Sequence, residues 1–163
     1  MAFAASATFA APFLSLGVGD SVVPLSALIA HHGAVQSGAA MDAETECLAN
    51  AVYFEARSEP IEGQLAVAEV VLNRAASGKY PRTICRVVTQ PSQFSFIRAG
   101  RFPRADRNSE AWRTASAIAD IAKDELADEL ASNILWYHAT YVSPSWGKRL
   151  RRETQIGAHI FYS

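Results

Sequence analysis

Apolar residues recur at helical spacing in three stretches of the chain, and each stretch begins at a residue that favours a helix start. Asp42 is a typical N-cap for the first predicted helix, which we expect to run to about Ser58, because Pro60 disfavours the α conformation in the residue before it. Pro60 then opens the second helix, whose centre at 65–72 is apolar almost all round and is therefore predicted to be buried. Ser109 caps the third helix.

The pattern changes towards the end of the chain. Residues 134–138 and 156–162 are short segments rich in aromatic and β-branched residues, which is typical of strands. The stretch 98–108 contains a glycine, a proline and five charged residues, and this composition predicts an exposed loop. Helices followed by a small antiparallel sheet predict the α+β class, with helix as the main component.

The composition fits one globular domain and sets apart an unusual first segment. Of the 163 residues, 50% are hydrophobic and 19% charged, and the formal net charge of -1 argues against a protein dedicated to nucleic acids. Residues 1–41 contain no Lys or Arg and read as a leader or a flexible linker, which leaves 42–163 as the predicted functional domain. The apolar stretch 2–16 is similar to a signal-peptide core without its basic flank, and it is too short and broken for stable membrane insertion. His31 and His32 fall in the first segment, where we expect them to be solvated.

Cys47 and Cys85 are the only cysteines of the chain. Two cysteines are too few for a disulfide scaffold or a four-cysteine zinc site, but one bridge between them is compatible with the count and implies an oxidising compartment. Such a bridge closes a loop of roughly 40 residues and stabilises the fold by about 4 kcal/mol in the chain-entropy model. Two unpaired buried thiols are the other interpretation, and pattern alone does not separate the two.

Glu55 is the main candidate for acid chemistry. It follows Ala51 by four residues and Val52 by three, so it lies on the apolar face of the first predicted helix. A carboxyl group held against apolar surface has a raised pKa, which is what a general acid needs to protonate a glycosidic oxygen. The alternative is an ordinary glutamate at a helix end, either solvated or paired with Arg57 or Arg74.

Two more carboxylates and two groups of aromatic and amide side chains are candidates for substrate contacts. The acids would supply the second carboxylate that hydrolytic glycosidases generally use, but the break at Pro60 leaves their distances from Glu55 open, and acids are also common at helix ends. Sugar rings stack on aromatic faces and amides bond sugar hydroxyls, although each aromatic taken singly is more often a core residue. The candidate substrate-binding residues are Glu59, Glu62, Gln93, Phe94, Ser95, Tyr137, His138 and Trp146.

Four segments of the chain resemble a known family. They are residues 48–74, which contain the run Tyr53-Phe-Glu-Ala-Arg57, and then 93–95, 137–139 and 156–162. In this order they resemble the cell-wall hydrolase family that includes the spore-cortex-lytic enzymes, whose catalytic domains look like lysozyme and resuscitation-promoting factors. The resemblance covers about three quarters of the chain, and one departure is the serine at position 58, where this block is expected to have glycine.

The resemblance implies a lysozyme-like catalytic domain over 42–163 that cleaves the bond between N-acetylmuramic acid and N-acetylglucosamine in peptidoglycan, as a lytic transglycosylase or a muramidase. It carries the role of catalytic acid to Glu55 and requires no metal or cofactor. In a lytic transglycosylase one carboxylate suffices, because the sugar's own 6-hydroxyl takes the place of water. We expect a monomer that acts on glycan strands in the periplasm or after secretion.

Three other functions compete with this interpretation. A zinc amidase, which would cut between muramic acid and the stem peptide, needs several ligands, and outside the first segment the chain has only His138 and His159 as histidines. A cysteine peptidase would pair Cys47 with His138 and requires a free thiol. A non-catalytic wall-binding module would keep the aromatic groove and tolerate Glu55→Gln. The basic run 148–152 is either a solvated face or a contact for stem-peptide carboxylates.

Overall fold

Five α-helices and three β-strands make up the part of the chain that the computed structural model describes, residues 23–35 and 40–163. The helices come first and the strands last, so the predicted mainly helical α+β class is confirmed. The elements are α1 (Leu25–Val35), α2 (Ala43–Ala56), α3 (Ile61–Ala76), α4 (Ile84–Val88), α5 (Glu110–Lys123), β1 (Trp136–Ala139), a short 3-10 helix (Gly147–Arg149), β2 (Arg152–Ile156) and β3 (His159–Tyr162).

The central helix is α3, and its boundaries follow from the local sequence. Pro60 is its N-cap, and Gly78 lies just after its end with a φ of 74°. Leu65, Val67 and Val70 are fully buried, which confirms that this helix forms the middle of the domain. The Asp42 side chain accepts hydrogen bonds from two backbone N–H groups in the first turn of α2, at 2.9 and 3.0 Å, as expected of an N-cap.

Helix α4 is held against α2 by covalent and polar contacts. Cys47 and Cys85 form a disulfide, so Cys47 has no free thiol for a cysteine peptidase. One oxygen of Glu44 accepts hydrogen bonds from the N–H groups of Ile84 and Cys85, at 2.6 and 3.3 Å. These contacts fix the N-terminal end of α4 against α2.

The sheet has the strand order β1-β3-β2 and is antiparallel throughout. The prediction of one strand over 156–162 is wrong, because a turn at Gly157, where φ is 56°, divides this segment between two strands. Strand β2 lies at an edge and contains Arg, Glu, Thr and Gln before its single aliphatic residue, Ile156, so its sequence lacks the apolar alternation that predicts a strand. In β1, Tyr137 pairs with Phe161, which is fully buried.

Helix α1 lies inside the segment that the sequence assigned to a leader or linker. Leu25 and Ile29 pack against the main core, and the helix contacts α5. His31 is exposed, as expected, whereas His32 is half-buried. The apolar stretch 2–16 lies outside the described residues, and none of the described helices combines the length and hydrophobicity that a membrane span requires.

Candidate active site

A groove of about 370 Å³ lies where the end of α2 meets α3, the loop after α4 and the sheet. Five predicted site residues line it together, although they are up to 83 positions apart. These residues are Glu55, Gln93, Ser95, Tyr137 and His138. Six lining residues lie outside the predicted set, and four of these have aromatic or charged side chains, namely Phe54, Arg74, Tyr141 and His159.

Glu55 stands in the last turn of α2 with its carboxyl group half-buried at the groove. Burial raises the pKa of this carboxyl above its usual value, although a hydrogen bond from Tyr137 and the charge of Arg74 act in the opposite direction. Within the described residues Glu55 has no ion pair, and Arg57 instead lies over the ring of Tyr53, 4.9 Å from its centroid. The group therefore retains its proton to a higher pH than an exposed glutamate does.

Tyr137 is the hydrogen-bond donor to Glu55. Burial and the neighbouring carboxylate raise the pKa of its hydroxyl well above the ordinary value, so Tyr137 remains a donor over the whole physiological range. Its ring contacts that of His159 edge to face, with centroids 5.1 Å apart. The hydroxyl thus favours the charged form of Glu55 without competing for the proton that the acid would transfer.

Arg74 places a positive charge beneath the groove. Its side chain is buried at the end of α3, where Nε donates to the carbonyl of Leu135 at 2.8 Å and the guanidinium lies 5.2 Å from the ring centroid of Tyr80. Its Nη1 has no hydrogen-bond partner in the described part of the chain. Arg74 lines the groove and stabilises negative charge on Glu55. From the sequence, Arg74 is predicted only as an ion-pair partner of Glu55, because a basic residue in the last turn of a helix is common and gives no distinct signal of function.

Glu59 lies beside the groove but does not line it. Its Oε2 accepts a hydrogen bond from the N–H of Ala158 at 2.7 Å and lies 4.0 Å from Nδ1 of His159. This carboxylate joins the turn between α2 and α3 to the turn between β2 and β3. Glu62 is half-buried in the first turn of α3 and also lies outside the groove lining. The structure therefore does not bring either predicted second carboxylate to the groove.

The remaining predicted residues divide between wall and support. Gln93 and Ser95 are exposed at the groove, whereas Phe94 between them is buried in the core. His138 lines the groove, and one of its ring nitrogens lies 2.8 Å from the hydroxyl of Tyr162. Trp146 packs against both His138 and Tyr162, with ring centroids 5.6 Å and 5.5 Å apart. Phe94 and Trp146 are thus placed behind the groove, and their contact with substrate remains a prediction.

His159 and Tyr141 were missed as site residues for different reasons. Burial lowers the pKa of His159, and this effect exceeds the opposing influence of Glu59, so the ring is neutral near pH 7. Its position beside Tyr137 depends on strand pairing that the sequence does not reveal. Tyr141 is 87% exposed at the groove edge, where a lone tyrosine in a loop gives no distinct sequence signal.

The groove offers acid chemistry rather than a metal site. Among the described residues no group of three or more His, Cys, Asp or Glu side chains is arranged to hold a metal ion. The groove combines one carboxyl of raised pKa, a buried cation and an aromatic rim. This arrangement can protonate a leaving oxygen and then stabilise the resulting carboxylate.

Sequence comparison places the chain among enzymes that act on the cell wall. A model of the Cell Wall Hydrolase family matches residues 58–162. A spore cortex-lytic enzyme of Oceanobacillus iheyensis is 34% identical over 124 residues, which cover 72% of this chain and 41% of that protein. A spore cortex-lytic enzyme of Bacillus subtilis (strain 168) is 36% identical over 118 residues, which cover 70% of this chain and 35% of that protein. The chain thus spans less than half the length of these curated relatives.

Solved structures agree with this result. The catalytic domain of SleB from Bacillus anthracis, a germination-specific lytic transglycosylase, matches with a TM-score of 0.59 and 28% identity, covering 77% of this chain and 98% of that one. The catalytic domain of SleB from Bacillus cereus gives the same TM-score and identity, with 90% and 100% coverage. The resemblance drawn from the sequence motifs is confirmed. Because the family model matches more than half of the sequence, the chain belongs to the cell wall hydrolase family.

Proposed function

We propose that this chain cleaves the bond between N-acetylmuramic acid and N-acetylglucosamine in peptidoglycan as a lytic transglycosylase, with Glu55 as its acid. The observation that carries the proposal is that Glu55 is the one carboxylate lining the groove among the described residues. A similar catalytic domain is described as a lytic transglycosylase. A single carboxylate of raised pKa fits that reaction better than hydrolysis, which generally uses two carboxylates.

The reaction would proceed in two proton transfers at the same carboxyl. Protonated Glu55 donates its proton to the glycosidic oxygen as the bond from that oxygen to the anomeric carbon breaks. The Glu55 carboxylate then accepts the proton of the muramic acid 6-hydroxyl, whose oxygen bonds to the anomeric carbon and closes a 1,6-anhydro ring. Arg74 and Tyr137 would stabilise the carboxylate between the two transfers, since both favour its charged form.

Hydrolysis is the nearest alternative, and the geometry favours it less. Glu59 is the nearest acid along the chain, but its carboxylate is bonded to the N–H of Ala158 and has only 11% of its side chain exposed. A second carboxylate must face an attacking water or the anomeric carbon. Glu59 in this position supports the structure of the groove wall rather than a reaction within the groove.

The envelope outside the cytoplasm is the proposed place of action. Peptidoglycan lies there, and the Cys47–Cys85 disulfide fits an oxidising compartment. We therefore propose a periplasmic or secreted enzyme that binds glycan strands, and we expect it to act as a monomer. The interpretation of residues 1–41 as a leader or a flexible linker stays a prediction.

Mass spectrometry of muropeptides released from purified peptidoglycan tests the function. The wild-type chain is expected to release glycan ends that are lighter by one water than hydrated ends, and Glu55→Gln is expected to release none. Glu62→Gln, which changes a carboxylate outside the groove, is the matched control and should behave like the wild type. Hydrated ends would indicate a hydrolase, free stem peptides would indicate an amidase, and full activity of Glu55→Gln would refute the assigned acid.

A further inference from the structure

A tight hairpin after the groove wall presents two arginines side by side. Arg98 and Arg101 exchange both backbone hydrogen bonds, with N···O distances of 3.2 and 3.0 Å, and form an isolated antiparallel bridge. The two residues between them have positive φ angles, 49° at Ala99 and 71° at Gly100. This is the geometry of a two-residue hairpin turn, and it places the side chains of the bridged pair on the same face.

The arrangement is unfavourable without a partner. Like charges directly opposite each other in an antiparallel pair repel, and a residue with a Cβ is strained at the φ of Ala99. Arg98 and Arg101 are both exposed, and neither forms an ion pair with any of the described residues. A strained turn that holds two unpaired guanidinium groups together is suited to an anionic ligand.

The hairpin is anchored to the groove rather than loose. Phe102, directly after the hairpin, has its ring 6.3 Å from that of Phe96, which in turn lies 5.2 Å from Phe54 at the groove. Beyond it, Arg107 forms an ion pair with Glu46 of α2. These contacts at the far end fix the hairpin relative to the groove.

We propose that Arg98 and Arg101 bind the free carboxylates of a peptidoglycan stem peptide whose glycan strand lies in the groove, an inference that rests on the proposed function. Arg98 follows Ser95 of the groove wall by three residues, so their Cα atoms lie within about 11 Å. An extended stem peptide of four residues reaches about 13 Å, which is enough to bring its terminal carboxylate to the hairpin. Guanidinium groups bind carboxylates through paired, charge-assisted hydrogen bonds.

The basic run 148–152 is a weaker candidate for the same contact. Arg151 forms an ion pair with Glu153 at 3.0 Å, and Arg152 donates to the side-chain oxygen of Gln155 at 2.8 Å. Two of the four basic side chains of this run are therefore already engaged within the chain. Lys148 and Arg149 form no ion pair with any of the described residues, but they are successive residues of a 3-10 helix rather than a directly opposed pair, which favours the hairpin arginines as the peptide contact.

Binding measurements in the Glu55→Gln background separate this contact from cleavage. The probes are sacculi freed of secondary anionic polymers, either intact or with their stem peptides removed by an amidase. R98Q/R101Q is compared with R82Q/R86Q, a matched control that removes two exposed arginines outside the groove lining. We expect R98Q/R101Q to bind intact sacculi about five-fold more weakly, as the loss of two partly exposed charge contacts implies, and the control to bind unchanged. Neither double variant should lose affinity for the stripped glycan.

Each other outcome has a definite meaning. Equal weakening on intact and stripped sacculi would overturn the assignment to stem peptides and indicate a contact with the glycan itself. A loss that appears only when the secondary polymers are left in place would overturn it in favour of a phosphodiester ligand. If the wild type releases anhydro ends but R98Q/R101Q binds intact sacculi normally, this inference alone fails. If the wild type releases no cleaved glycan, the proposed function fails, and this inference fails with it.

Discussion

Glu69 is a buried acid far from the groove, and it makes the stability of the domain depend on pH. It lies in the middle of α3 with 7% of its surface exposed, and its Oε1 accepts a hydrogen bond from the N–H of Glu129 at 2.9 Å. Its Oε2 has no hydrogen-bond partner in the described part of the chain. Burial raises the pKa of Glu69 to about 7, against the opposing effect of nearby backbone N–H groups, chiefly that of Glu129, and the carboxylates of Asp128 and Glu129 raise it further.

The sign and size of the effect follow from linkage. Because the folded state binds this proton more tightly than the unfolded chain does, the stabilisation is complete below pH 4.5 and is lost as pH rises through 7. The shift from 4.5 to about 7 corresponds to roughly 3 kcal/mol of unfolding free energy. Glu69→Gln removes the titration but keeps an oxygen for the N–H of Glu129. We therefore expect the unfolding free energy of Glu69→Gln, taken relative to that of the wild type, to rise by about 3 kcal/mol as the pH is raised from 4.5 to 7.5.

Urea unfolding at pH 4.5, 6 and 7.5 measures this difference directly. Taking the variant relative to the wild type at each pH cancels the other titrating groups, including Glu55 and His159. Glu110→Gln, at an exposed position in the first turn of α5, is the control and should show no comparable change. A difference that stays constant with pH, or that favours the wild type as pH rises, would refute the reasoning.

Three further predictions concern the groove and its supports. Tyr137→Phe removes the hydrogen bond that lowers the pKa of Glu55, so the alkaline limb of the pH profile of kcat/KM should move to higher pH. An unchanged limb would contradict the contact between Tyr137 and Glu55. Gly157→Ala should lower the unfolding free energy by about 3 kcal/mol, because φ is 56° and the new Cβ would collide with the Glu59 carboxylate. Gly33→Ala, inside helix α1, meets no atom within 4 Å and should instead raise the unfolding free energy by up to about 1 kcal/mol in the same urea titration. Replacing both cysteines by alanine removes a bridge across a sequence separation of 38 and should cost about 4 kcal/mol in chemical unfolding, and a loss below 1 kcal/mol would show that the chain-entropy model does not apply here.

Local chemistry explains which elements could be predicted. Asp42 and Ser109 cap helices because their side chains accept backbone N–H groups in the first turn, and Pro60 opens α3 because its ring fixes φ. These effects act within a few residues and are visible in one sequence. Helix α1 has no such cap, because the residues before it are Val23 and Pro24, whose side chains cannot accept a hydrogen bond. Its contacts with α5 form only in the folded structure. Strand β2 is defined by its pairing with β3 and not by its polar sequence.

The two acids near the end of α2 show why the site could be predicted only in part. From the sequence, Glu55 is the main candidate for the acid and Glu59 a candidate second carboxylate, whose distance from Glu55 is left open by the break at Pro60. Strand pairing decides between them, because it brings the N–H of Ala158 to Glu59 and the hydroxyl of Tyr137 to Glu55. The first contact holds Glu59 beside the groove, outside its lining, and the second leaves Glu55 facing the groove. The difference depends on the partner that each acid meets from about 80 to 100 residues later in the chain, and the spacing of the acids contains no information about those partners.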